Sequence, residues 1–405
     1  MKIRHGGDSH DETRPKIVIF GAGNIGRSFI APVFTRGGYE AVFADVAPGV
    51  LAELAKRSRY DLVEKSAAGE IHRIVEPVRG VDSRDFPAVK RELDSADICA
   101  TCVGTGALPA VLKTVALAAA DRNRHLDIIL AENLKSAGEL TRKAFREAGI
   151  SDVDARRRLG VVETSIGKMV PIMPPETAAA DPLLSWAEPF NTLIVDRDGF
   201  VGSVPEIDDL MAVSPIAPWV ARKLYIHNFG HAAAAYIGHR HRPEAVHLWE
   251  VLDDPETASL TARAMRLSGE ALRREFPGAF AADEIEDHIG DLLSRFRNRA
   301  LGDTVYRVGR DLARKLDRHD RVVGALALIV KHGLDAGPGL EAFRAALAFL
   351  PPGPDGYPDP KDADVIMTAK DPERFVGGIV GIEPGDEPEL RALLIEAVAA
   401  AGANH

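Results

Sequence analysis

The chain has 405 residues, 46% of them hydrophobic and 27% charged, a formal net charge of −10 and two cysteines. At roughly 100–200 residues per domain this length predicts two or three domains, and the near-average composition excludes a wholly disordered chain and a coiled-coil rod. No apolar run reaches the ~20 residues of a membrane span, and the acidic balance argues against wrapping nucleic acid, so a soluble protein with neither membrane nor nucleic-acid partner is expected.

Residues 1–14 are polar and rich in His, Gly and Asp, and read as a flexible tail without a secretory signal. Two cysteines do not make a disulfide framework, which favours a reducing cytoplasm. From Lys16 to about Val170, β-branched runs at 17–20, 41–44, 98–103, 127–130 and 161–163 alternate with helical patterns. Continuous apolar strands separated by helices demand a parallel sheet covered on both faces, which predicts an α/β domain over 15–213. Residues 173–205 read as irregular chain with one or two strands, such as 192–195. From about Pro215, Ala, Leu, Arg and Glu recur at helical spacing, and Asp254-Pro255-Glu256 and Asp283 look like helix starts. A mostly α-helical domain is expected over 214–405. The Pro- and Gly-rich segment 351–360 reads as a surface loop followed by one or two helices.

After the first strand, which ends at Phe20, Gly21-Ala22-Gly23-Asn24-Ile25-Gly26 forms a G-x-G-x-x-G that opens a helical pattern. That strand-turn-helix setting is the Rossmann-type arrangement for a dinucleotide. Gly21 permits a tight turn, Gly23 lets the backbone approach a pyrophosphate, and Gly26 lets helix and strand pack closely. Asp45 ends the second strand, where a carboxylate bonds ribose hydroxyls and repels a 2′-phosphate, so NAD is the expected cofactor. Cys99 and Cys102 lie in an apparent strand with side chains on opposite faces, which suits buried thiols better than a shared metal.

In the second half, Lys223, His227 and His231 fall on one stripe of an α-helix at about 100° per residue, with Asn228 beside them. An amine, an amide and an imidazole can then converge on one small molecule. A zinc site at His227 and His231 lacks the glutamate of a metalloprotease helix, and no metal is expected.

These motifs resemble those of the polyol-specific long-chain dehydrogenases. The likeness runs from Lys16 to at least Arg321: residues 20–27 resemble the family's FGAGNIGR start, 43–46 its second-strand end, Ala131-Glu132-Asn133 its "EN" turn, and Lys223, Asn228 and His231 its K-x4-N-x2-H helix. Residues 295–298 and 307–316 resemble motifs of its helical domain.

The resemblance implies metal-independent hydride transfer in a cleft between two domains, with NAD held by Phe20, Gly21, Gly23, Asn24, Ile25, Gly26 and Asp45. Lys223 would be the general base, Asn133 and Asn228 would bond the developing alkoxide, and His231 would orient a neighbouring hydroxyl. Arg307 and Lys315 are candidates to contact the far end of a small polyol or sugar phosphate. The chain length suits the branch that interconverts D-mannitol 1-phosphate and D-fructose 6-phosphate. The same chemistry on another polyol, polyol phosphate or sugar acid is the alternative, and a non-catalytic NAD sensor is the rival from another class. A cytoplasmic monomer or small homo-oligomer is expected. One departure stands out: where the family has an acid facing the substrate, this chain has Gly167, with the cation Lys168 next to it.

Overall fold

The structure is a computed structural model that describes residues 14–132, 134 and 137–402. The tail expected over 1–14 lies outside the described residues except for Arg14. The chain forms two compact units, one of Met1–Glu64 with Ile71–Pro215 and one of Lys65–Glu70 with Ile216–His405.

The strands are β1 (Lys16–Phe20), β2 (Glu40–Asp45), β3 (Tyr60–Ser66), β4 (Gly69–Val75), β5 (Val78–Asp82), β6 (Ile98–Thr101), β7 (Leu126–Leu130), β8 (Leu159–Ser165), β9 (Ser185–Ala187), β10 (Leu193–Asp196) and β11 (Leu210–Val213), all in the first unit except the β3–β4 turn at Lys65–Glu70. The main sheet runs β11-β10-β8-β7-β6-β1-β2-β5, and a smaller one runs β4-β3-β9. From β5 to β8 every pairing is parallel. Those six strands follow the doubly wound dinucleotide-binding order, whose ligand crevice lies at the carboxyl ends where the order reverses. Here the reversal falls between β1 and β6, and the glycine motif follows β1 directly.

Alternate residues of β1 explain why it reads as one apolar run. Ile17 and Ile19 pack with Phe29, Val33 and Phe43 on one face, while Val18 and Phe20 pack with Cys99, Leu112 and Val115 on the other. The expected parallel sheet is present, with one departure toward its edge, where β10 pairs antiparallel with β8. The apolar run at the edge of the sheet encodes strand formation and not strand direction. The sequence reading also missed β3, β4, β5 and β11, and it allowed a second strand within 173–205 without placing β9. β4 exposes six of its seven residues and β5 buries only its first, so neither carries the apolar signal of a buried strand.

The second unit is built around one continuous helical segment: Ala217–Arg222, a π-helical turn at Lys223–Asn228, and Phe229–His241. Residues 232–238 of the last part are all buried. A helix apolar all round must lie at the centre of its bundle, and the helices Pro255–Glu275, Gly337–Ala346, Arg321–Lys331 and Val305–Gly309 pack on it. Small residues make that approach possible: a Cβ at Gly230 would stand 2.4 Å from Sδ of Met265 on the helix Pro255–Glu275.

Asp254 caps the 21-residue helix Pro255–Glu275 through its carboxylate, which accepts from the Thr257 N–H at 2.8 Å. The next helix begins at Ala282, one residue before the expected Asp283, and Glu284 reaches back to the Ala281 N–H at 2.7 Å. After the 351–360 loop come the helices Pro360–Thr368, Pro372–Phe375 and Pro388–Gly402, more than the one or two expected.

Candidate active site

Backbone geometry explains each glycine after β1. Gly21 has φ +99°, and a Cβ there would lie 2.6 Å from the Cys102 carbonyl oxygen. Gly23 is exposed, with nothing within 4 Å of where a Cβ would stand, so its backbone is open to a ligand. Phe20 is buried beneath the turn, while Asn24 and Ile25 start the helix over it. At Gly26 a Cβ would stand 2.1 Å from the Gly21 carbonyl oxygen. Gly26→Ala is therefore expected to cost about 1–3 kcal/mol by overpacking and to weaken dinucleotide binding. Denaturant melts and nucleotide titration of the variant would check it, and unchanged values in both would count against the close-approach argument.

Asp45 meets this turn from the end of β2. One carboxylate oxygen accepts from the Ala22 N–H at 2.6 Å and the other from the Ala47 N–H at 2.8 Å. An ionised carboxylate offers about four acceptor positions, so Asp45 can brace the loop and still accept from ribose hydroxyls. An open Gly23 backbone, a close glycine turn and this acid together fit a dinucleotide.

Asn133 lies outside the described residues, but its neighbour Glu132 has a clear role that the sequence reading missed. Its two oxygens accept from the N–H groups of Val103 and Gly104, at 2.8 and 3.0 Å, and so hold the loop after β6. Burial pushes its carboxyl up despite those bonds.

Cys99 and Cys102 are free thiols belonging to opposite cores of the sheet, Cys99 buried within one and Cys102 packed against the other. Among the described residues, no group of three or more His, Cys, Asp or Glu could hold a metal ion.

Lys168 is not available as a cation for substrate. Its buried Nζ donates to the carbonyls of Glu188 and Phe190, both at 2.6 Å, and to Asn191 Oδ1 at 2.9 Å. Three acceptors match the three N–H groups of an ammonium, so this lysine ties the chain after β8 to residues 188–191.

In the helical unit, Lys223 and Asn228 are the two ends of the π-helical turn. In an α-helix, residues five apart point about 140° away from each other. A turn bonded i→i+5 brings them toward the same side, and such turns recur at functional sites. The segment expected as plain α-helix is thus π-helical over Lys223–Asn228, a geometry that favours placing the amine and the amide on one side. A local cause is visible in Ser268, fully buried on the packed helix Pro255–Glu275, whose Oγ donates to the Tyr225 carbonyl at 2.6 Å. A side chain inserted into the helical ladder is a recognised source of such irregularity.

Burial, reinforced by the Arg321 guanidinium and opposed by Asp320, pushes the Lys223 amine down from 10.5 to about 7. Asp320 compensates poorly because it serves the arginines: its carboxylate accepts from Arg321 Nε at 2.8 Å and stands 3.4 Å from Arg314 Nη1. The Asn228 amide is 8% exposed, and its Nδ2 has no hydrogen-bond partner among the described residues. His227 is buried against Phe296, with ring centroids 5.7 Å apart. Burial, helped by the Arg295 charge, holds it well below the ordinary histidine value.

His231 stacks on Phe296, with centroids 4.7 Å apart, and its Nε2 lies 3.4 Å from Asp303 Oδ2. Arg307, one helical turn beyond Asp303, donates to the other oxygen of that carboxylate. Lys315 is a different case from Arg307. Its ammonium is buried and donates to the carbonyls of Val308, at 2.6 Å, and Arg310. It staples the segment that carries Arg307 and has little left for a ligand. Asp303 was absent from the sequence reading, although its i,i+4 spacing to Arg307 was a usable signal.

Comparison with known proteins agrees with both halves of this description. The family profiles "Mannitol dehydrogenase Rossmann domain" and "Mannitol dehydrogenase C-terminal domain" match residues 15–209 and 215–347. The chain is 32% identical over 338 residues to the mannitol-1-phosphate 5-dehydrogenase of Brevibacillus brevis, covering 82% of this chain and 85% of that one. It is 30% identical over 384 residues to the protein of the same name from Bacillus subtilis, covering 93% and 98%. Among solved structures, the Pseudomonas fluorescens mannitol 2-dehydrogenase ternary complex with NAD and D-mannitol shares the fold with a TM-score of 0.73 at 16% identity, covering 97% of this chain and 93% of that one. A D-sorbitol dehydrogenase shares it with a TM-score of 0.74 at 17% identity, covering 96% and 95%. With its glycine turn, its K-x4-N-x2-H segment and both profiles matched across most of its length, the chain belongs to the mannitol dehydrogenase family.

Proposed function

We propose that the protein interconverts D-mannitol 1-phosphate and D-fructose 6-phosphate with NAD, using Lys223 as a general base and no metal. The observation that carries this reading is the pairing of an amine pushed down to about 7 with a buried amide whose Nδ2 has no hydrogen-bond partner among the described residues, both in one π-helical turn. The names of the relatives supply the substrate class.

NAD, when bound at the glycine turn and Asp45, supplies the hydride acceptor. The neutral Lys223 amine takes the proton from the hydroxyl of the reacting carbon. Asn228 donates its Nδ2–H to the same oxygen, where negative charge develops, and Asn133, which lies outside the described residues, is the second amide that the family resemblance assigns to this role. Because the Asn228 donor is buried and already in place, little reorganisation is needed as the charge forms. His231 orients a neighbouring hydroxyl. Of the two basic residues expected at the far end of the substrate, Arg307 suits a phosphate: its side chain is 44% exposed, and a guanidinium bonded once to a carboxylate retains other N–H groups.

The test is to follow NADH absorbance with NAD and mannitol 1-phosphate, glucitol 6-phosphate, mannitol or arabinitol, each with and without a chelator. Turnover highest with mannitol 1-phosphate and unaffected by chelator is expected. Preference for a free polyol would move the substrate assignment. Tight NAD binding with no turnover of any of the four would favour an NAD sensor instead.

A further inference from the structure

One buried carboxylate touches both His231 and Arg307. Asp303 is 6% exposed and sits just before the short helix Val305–Gly309. One oxygen faces His231 Nε2 at 3.4 Å, and the other accepts from Arg307 Nη1. The residue is also fixed through its backbone, whose carbonyl accepts from the Leu248 N–H at 2.9 Å. Burying a carboxylate is costly unless it is paired. Burial alone would raise the Asp303 carboxyl, but the contact with His231 and the charge of Arg307 hold it below its usual value.

The surroundings of His231 show what the carboxylate does. Phe296 covers one face of the ring at an interplanar angle of 21°, which leaves rotation in the ring plane to be set by polar contacts. Nε2 is buried and makes no hydrogen bond among the described residues, and the carboxylate beside it, at 3.4 Å, is that of Asp303. The proton of a neutral imidazole resides on the nitrogen that faces an acceptor, and the other nitrogen becomes the acceptor site.

We propose that Asp303 is a positioning residue that holds the His231 proton on Nε2, presents Nδ1 as an acceptor for a substrate hydroxyl, and anchors Arg307 at the same time. Its kinetic consequence rests on the polyol phosphate reading above; its structural consequence does not.

Two variants separate the two contacts. In Asp303→Ala both are lost: kcat is expected to fall at least tenfold and KM for mannitol 1-phosphate to rise at least tenfold, with NADH affinity unchanged. In Asp303→Asn the side-chain carbonyl can still accept from Nε2, but the charge that anchors Arg307 is gone. That variant is expected to recover kcat to within about threefold while KM stays high. Nitrogen-15 shifts of the His231 ring, assigned by comparison with His231→Asn and recorded on the full chain without substrate, read the tautomer directly. The Nε2–H form should dominate in the unsubstituted protein and in Asp303→Asn, and lose that dominance in Asp303→Ala. The proposal is overturned by an unchanged tautomer in Asp303→Ala, or by equal losses of kcat, KM and NADH affinity in both variants. If the unsubstituted protein turned over no polyol phosphate, the activity reading would fall while the ring-nitrogen shifts still decided the role of Asp303.

Discussion

Lys223→Ala is expected to lower kcat by about 10²–10⁴-fold, the range that a positioned general base contributes, while NADH binds as before. The cofactor loop and Asp45 belong to the other compact unit, so removing the amine leaves that binding machinery intact. An unperturbed lysine near 10.4 is neutral in roughly one molecule in 2,500 at pH 7. An amine pushed down to about 7 is half neutral there.

The sign of the pH effect follows. The active form is the unprotonated amine, so kcat/KM should be flat above about pH 7 and fall tenfold per unit below it. Two nearby histidines do not produce that limb: His227 is held well below its ordinary value, and His288 is pushed down to about 3 by burial and the Arg222 charge. In Lys223→Ala the limb should vanish along with most of the activity. Equal losses of turnover and NADH affinity, or a limb that persists in the variant, would remove Lys223 from the role of base.

Lys168→Met is the substitution with the largest expected effect on stability. Methionine keeps the length of the side chain but removes the three hydrogen bonds that the ammonium donates to the carbonyls of Glu188 and Phe190 and to the Asn191 amide oxygen. A hydrogen bond to a charged group contributes about 1.5–3 kcal/mol. With three lost, largely offset by no longer burying an ammonium, a loss of about 3 kcal/mol is expected. That corresponds to a fall of about 6–12 °C in the unfolding temperature of a unit of this size. KM for mannitol 1-phosphate, measured well below that temperature, should not change. A raised KM without loss of stability would return Lys168 to the substrate, as its position beside Gly167 in the sequence first suggested.

The nucleotide site was legible because its chemistry is local. Gly21, Gly23, Gly26 and Asp45 sit at fixed offsets from two strands, and at Gly26 the close approach is to backbone of the same strand-turn-helix unit, whereas the Cys102 carbonyl that crowds Gly21 comes from the loop after β6 and was not legible. The cores on both faces of the sheet were legible for a similar reason, since residues such as Ile17 and Val18 must be apolar to lie on opposite buried faces. The strands β4 and β5 were not, because half-exposed edge positions carry no periodic apolar signal. The direction of β10 was not either, because an apolar run does not say which way it points.

The active-site helix divides along the same line. The sequence by itself determined that Lys223, Asn228 and His231 belong to one helix, because their spacing falls within one helical pattern. Only the tertiary structure decided that residues 223–228 form a π-helical turn, which is accompanied by a hydrogen bond from Ser268 on a helix some forty residues away. It also decided which cations are free for a ligand. Arg307, Lys315 and Lys168 look alike as sequence, yet the two lysines have their ammonium groups consumed by backbone carbonyls that no local pattern announces. A charge is specified by its residue, but its availability depends on the acceptors that folding brings within about 3 Å of it.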